Sequence, residues 1–111
     1  MIECSEVGKT LVVELKDKTL DAQTVKDFRR EIQPGLDSHT QVVFDLSRLT
    51  FVDSSGLGVL LSCLRQLTGR GGDLKLCSLT IQVRAVFQLV RMHRLFDIYN
   101  TPAEAIRAFQ P

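Results

Sequence analysis

The chain has 111 residues and a formal net charge of +1, which suits one domain around a single core and gives no strong field to attract nucleic acid or a membrane surface. No apolar run approaches the roughly 20 residues of a membrane span, and the opening MIECSEVGKT lacks the layout of a secretion signal, so a cytoplasmic protein is expected. The three cysteines, Cys4, Cys63 and Cys77, form no Cys-x-x-Cys pair and the two histidines, His39 and His93, lie far apart, which speaks against a metal site and leaves buried, reduced thiols as the expectation.

Ile2, Cys4 and Val7 alternate with polar residues, Gly8-Lys9 can turn the chain, and Leu11, Val13 and Leu15 alternate again. This pattern predicts an antiparallel hairpin. Glu14 and Lys16 on the second strand imply one partly wet face. From Thr19 to Gln33 an apolar stripe of Ala22, Val25, Phe28 and Ile32 predicts an amphipathic helix, with Asp21 as its cap and Pro34-Gly35 as its end. Lys26, Arg29 and Arg30 lie on its outer face with Asp27 and Glu31 interleaved, the pattern of a solvated surface.

Val42, Val43 and Phe44 are the adjacent β-branched and aromatic residues of a central buried strand. After an irregular stretch from Arg48 to Val52, Asp53-Ser54-Ser55-Gly56 opens a segment with apolar residues at Leu57, Leu60, Leu61, Leu64 and Leu67, which is helical spacing. A serine at that helix start has two uses. Its hydroxyl can cap a first-turn amide, for about 1 kcal/mol, or it can be displayed to a partner at the positive end of the helix, with Gly56 and Gly58 allowing close approach.

Gly69, Gly71 and Gly72 end this helix, and Leu74, Leu76 and Leu79 mark the next strand. A helix with Ile81, Ala85, Val86, Leu89 and Val90 inward and Gln82, Arg84 and Arg91 outward is expected next, followed by a strand at Phe96, Ile98 and Tyr99. Thr101-Pro102 then starts a last helix through Ala103, Ile106 and Phe109. The order β-β-α-β-α-β-α-β-α places the chain in the α/β class, with an N-terminal hairpin, about four helices and a mixed, mainly parallel sheet built by right-handed crossovers. Strand order is not encoded in this pattern.

The string DLSRLTFVDSSGLGVLL, together with the order of elements around it, resembles the signature of the STAS domain, in the branch of bacterial anti-sigma factor antagonists. The resemblance implies one STAS-like domain over residues 1–111, with Ser54, the first serine after the aspartate, as phosphoacceptor. It also implies a partner surface of Asp53, Ser54, Ser55, Gly56, Leu57, Gly58 and Asp21. Asp21 keeps the aspartate of the family's Gly-x-Leu-Asp turn, whereas Lys18 replaces its glycine. The partner so implied is an anti-sigma serine kinase of the GHKL type, with a serine phosphatase to reset the switch. Unmodified protein would dock on the kinase and free a sigma factor.

Other functions fit the residues less well. A phosphate-binding loop needs Gly-x-x-x-x-Gly-Lys-Ser/Thr, and the turn has no lysine and carries Asp53, so no nucleotide or other cofactor is expected. A serine hydrolase needs a base beside its nucleophile, and neither histidine is spaced to supply one, so catalysis is not expected. The alternative kept open is a constitutive docking subunit of another bacterial complex, in lipid transport or stress sensing, without phosphorylation.

Overall fold

The computed structural model describes residues 1–111. Strands β1 (Ile2–Val7), β2 (Thr10–Leu15), β4 (Gln41–Asp45), β6 (Asp73–Cys77) and β7 (Asp97–Tyr99) form one sheet in the order β1-β2-β4-β6-β7. Only β1 and β2 pair antiparallel; the other neighbours are parallel. The helices are α1 (Val25–Ser38), α2 (Ser54–Thr68), α3 (Ile81–Leu89) and α4 (Pro102–Ala108). Hairpin, four helices and mixed sheet agree with the sequence pattern.

Register sorts the side chains into two layers. Leu11, Val13, Val42, Phe44, Leu74 and Leu76 share one face under α1, α2 and α3, where most of the buried apolar side chains gather, and the Phe28 ring meets Phe44 edge-on at 5.7 Å. Each such Leu or Phe contributes about 1.5–3 kcal/mol by leaving water. The opposite face carries Val43 and Cys77 against Ala105 of α4. Lys75 also lies on that face, 7% exposed, paired with Asp73 at 3.1 Å and Asp97 at 3.0 Å and 4.6 Å from the Phe109 ring centroid. Burial pushes its ammonium pKa down, but the hydrogen bonds and charges of the two aspartates outweigh this and the net shift is upward. Beyond the reach of α4, Glu14 pairs with Lys16 at 3.1 Å and Arg48 at 3.3 Å, the wet end of that face.

Several boundaries differ from the sequence expectation. Thr19–Leu20 is not helical but a short strand, β3, pairing in parallel with a second short strand, β5 (Phe51–Val52), inside the stretch expected to be irregular. Helix α1 therefore starts at Val25, and it runs through Pro34 and Gly35 to Ser38. Proline removes one intrahelical donor, yet continuation buries Leu36 to 1% exposure. The exposed end is held from outside: the Arg70 guanidinium donates to the carbonyls of Leu36, Asp37 and His39.

Helix α3 is rotated from the expected phase. Val83 and Phe87 face inward, with Phe87 against Phe96 at 5.9 Å, whereas Ile81, Ala85 and Leu89 face solvent. Two apolar stripes compete on this helix, and the one carrying the larger aromatic side chain is buried. In α4, Ile106 and Phe109 pack inward as expected, but the buried alanine is Ala105, and Ala103 is exposed. Cys4, on the edge strand, is exposed, while Cys63 and Cys77 are buried.

Candidate functional site

The turn between β5 and α2 is built by Asp53. It is extended (φ −105°, ψ −171°) and caps α2, its Oδ1 accepting from the Gly56 N–H at 3.0 Å. Its Oδ2 accepts from the Ala22 N–H at 3.2 Å, which ties the turn to the loop before α1. One carboxylate thus performs the capping that a serine could have performed. Ser54 begins α2, is exposed, and its hydroxyl hydrogen-bonds to no other protein group. Ser55 is half-buried and likewise unengaged.

Asp21 sits beside this turn but does not cap α1. Its Oδ1 accepts from the N–H groups of Gln23 at 3.0 Å and Thr24 at 3.2 Å, while its own N–H donates to Thr24 Oγ1 at 3.0 Å. This closed loop leads into α1, whose preceding residue Thr24 makes no side-chain cap bond. Asp21 and the Asp53 turn are therefore adjacent, joined through the Ala22 N–H.

The two glycines separate sharply. A Cβ on Gly56 would lie 2.1 Å from the Leu20 carbonyl oxygen and 2.7 Å from Val52 Cγ2. Gly56 is buried and lets α2 settle on the β3–β5 pair, so its close approach is to the chain's own backbone, correcting the expectation of a partner contact there. A Cβ on Gly58 would meet nothing within 4 Å, and this glycine is exposed. Leu57, half-buried, packs against the core.

Sequence reasoning missed what stands opposite Gly58. A groove of about 560 Å³ runs between α1 and α2, lined by Lys26, Arg29, Arg30 and Gln33 on one side and Ser55 and Gly58 on the other. The signal was legible as spacing, since positions 26, 29, 30 and 33 form one helical face. Arg29 donates to Ser62 Oγ at 3.2 Å and Arg30 to Asp27 at 2.7 Å.

Neither histidine approaches the serines through hydrogen bonds. His39 Nε2 lies 3.2 Å from Glu6 and its Nδ1 3.0 Å from the Gly35 carbonyl, and His93 Nδ1 is 3.4 Å from the Phe87 carbonyl. A triad around Ser54 is therefore not assembled. No helix is long and apolar enough to cross a membrane.

Comparison with known proteins agrees with this geometry. The model of the STAS domain matches residues 1–105. The anti-sigma F factor antagonist of Paenibacillus polymyxa is 26% identical over 107 residues, 95% of this chain and 91% of that protein. BtrV of Bordetella bronchiseptica is 39% identical over 70 residues, which cover 63% of this chain and only 60% of BtrV. Among solved structures, the Bacillus cell fate determinant SpoIIAA in its phosphorylated form superposes with a TM-score of 0.74 at 27% identity, covering 99% of this chain and 100% of that one.

Proposed function

The chain belongs to the STAS domain family, and from that premise we propose that it is an anti-sigma factor antagonist switched by phosphorylation of Ser54. Unmodified protein docks through the Asp53 to Gly58 turn on a GHKL-type anti-sigma serine kinase and releases the sigma factor that kinase holds. Phosphorylation ends the docking and a serine phosphatase restores it, all in the cytoplasm. The chain itself is a substrate and a binding surface rather than an enzyme.

The observation that carries this reading is the division of labour between Asp53 and Ser54. Because Asp53 holds both Gly56 and Ala22, the Ser54 hydroxyl has no structural task and stands exposed at the first position of α2. In the transfer step Ser54 Oγ forms a bond to the γ-phosphorus of ATP, the bond from that phosphorus to the bridging oxygen breaks, and ADP leaves. The hydroxyl proton passes to a base of the kinase. SpoIIAA, with 27% identity over nearly the whole chain, has been solved in phosphorylated and unphosphorylated forms, which supports the same chemistry for this chain.

The test is incubation with the cognate kinase and ATP, followed by mass spectrometry of the peptides spanning Arg48 to Arg65. Phosphate on Ser54 is expected. Absence of phosphate, with the kinase shown to bind both ATP and this chain, would favour the constitutive docking subunit instead.

A further inference from the structure

We infer that the groove between α1 and α2 receives an acidic segment of the protein partner, read by Lys26, Arg29 and Arg30. The inference deepens the docking surface proposed above and rests on that reading for the partner being a protein. Its own support is local. Three cations and the amide of Gln33 line one wall, and Ser55 and Gly58 the other. Lys26 pairs with no carboxylate, Arg29 contacts only the neutral hydroxyl of Ser62, and Arg30 holds only Asp27 of its own helix, in an exposed pair at side-chain exposures of 74% and 52%. Such an exposed pair is easily exchanged for a better-placed anion.

Gly58 is the independent observation. Within a helix it is unfavourable relative to Ala, and unlike Gly56 it has no internal neighbour that excludes a side chain. Its bare backbone keeps the groove open at the end next to the Ser54 turn. From Lys26 to Gln33 the cationic face is about 10 Å long at 1.5 Å rise per residue, which matches roughly three extended residues at about 3.3 Å each.

Nucleic acid is the less suitable polyanion. Its binding is dominated by Lys and Arg contacts to many phosphates, whereas this patch offers three cations bounded by Asp27 and Asp37 on a chain of net charge +1. Placing the acidic segment here also explains how a phosphate on Ser54 would act at a distance of a few residues: it adds negative charge at the rim of a site that takes negative charge.

The probe is a deca-glutamate peptide titrated into isotopically labelled full-length protein at low salt, followed by amide chemical shifts. Saturable shifts confined to Lys26 to Gln33 and Ser55 to Val59 are expected, weakening as salt rises. The variants Lys26→Glu/Arg29→Glu and Gly58→Leu should each bind at least tenfold more weakly, with circular dichroism unchanged. Shifts that are absent or scattered over the surface, or tighter binding of a decathymidylate to the same residues, would overturn the inference. Both outcomes are independent of whether Ser54 is phosphorylated, so failure here is distinguishable from failure of the switch.

Discussion

The Asp53 carboxylate accepts the Ala22 N–H at 3.2 Å across 31 residues of sequence, fastening the turn that displays Ser54 to the loop that carries Asp21. With its other oxygen on Gly56, the same side chain fixes the angle at which α2 leaves the sheet. Asp53 is thus a positioning residue for the site, and Ser54 is free of structural duty.

Asp53→Ala should therefore destabilise the domain and Ser54→Ala should not. Loss of an N-cap costs about 1 kcal/mol, with an upper range of about 2, while an exposed side chain away from such contacts changes stability by about 0.5 kcal/mol or less. Thermal melting of the two variants beside the parent should show a fall of several degrees for Asp53→Ala alone. The reverse order would make Ser54 the cap and remove the basis of the switch.

The glycines give a second contrast, of opposite sign. Gly56→Ala drives a methyl into the Leu20 carbonyl, and overpacking of this kind costs about 1–3 kcal/mol or more when backbone must move. Gly58→Ala meets nothing and should raise stability by up to about 1 kcal/mol through helix propensity. Urea denaturation reads both; a stabilised Gly56→Ala would show that α2 does not rest on β3.

The thiols report on burial through pH. Desolvation pushes Cys63 and Cys77 up to about 11, from an ordinary value of 9.0. Above pH 9 the unfolded chain sheds these protons while the folded chain keeps them, so the unfolded state binds fewer protons and stability falls as pH rises from about 9 towards 11. At neutral pH a thiol reagent should modify exposed Cys4 quickly and the other two only on unfolding. Rapid modification of all three would contradict the packing of α2 and β6.

Where one physical pattern dominated, the sequence was sufficient. The Val42 to Phe44 run and the Leu spacing after Gly56 each have one solution, a central strand and the helix packed on it. Where two patterns competed, periodicity could not decide: Ile81-Ala85-Leu89 and Val83-Phe87 are both apolar stripes of α3, and only the Phe96 ring settles which turns inward. Pro34-Gly35 has the form of a helix stop, but Arg70, distant in sequence, holds the last carbonyls of α1 and Leu36 is buried by continuing. Local pattern could not choose the cap of α2, because Asp and Ser are both good N-caps, and the tie to Ala22 that selects Asp53 is a tertiary contact. The cationic groove needed the relative placement of α1 and α2, which no local pattern supplies.

The most direct measurement is the affinity of unmodified and Ser54-phosphorylated protein for the cognate anti-sigma kinase, by calorimetry on the same preparation before and after modification. Phosphate adds about −1.5 to −2 charge beside Asp53, at a site that must be desolvated on docking, where an unpaired charge costs several kcal/mol. A penalty of about 3 kcal/mol corresponds to roughly two orders of magnitude in affinity. That loss is expected, with circular dichroism unchanged because the helix N-terminus tolerates the anion locally; equal affinity of the two forms, or tighter binding of the phosphorylated one, would rule out the switch.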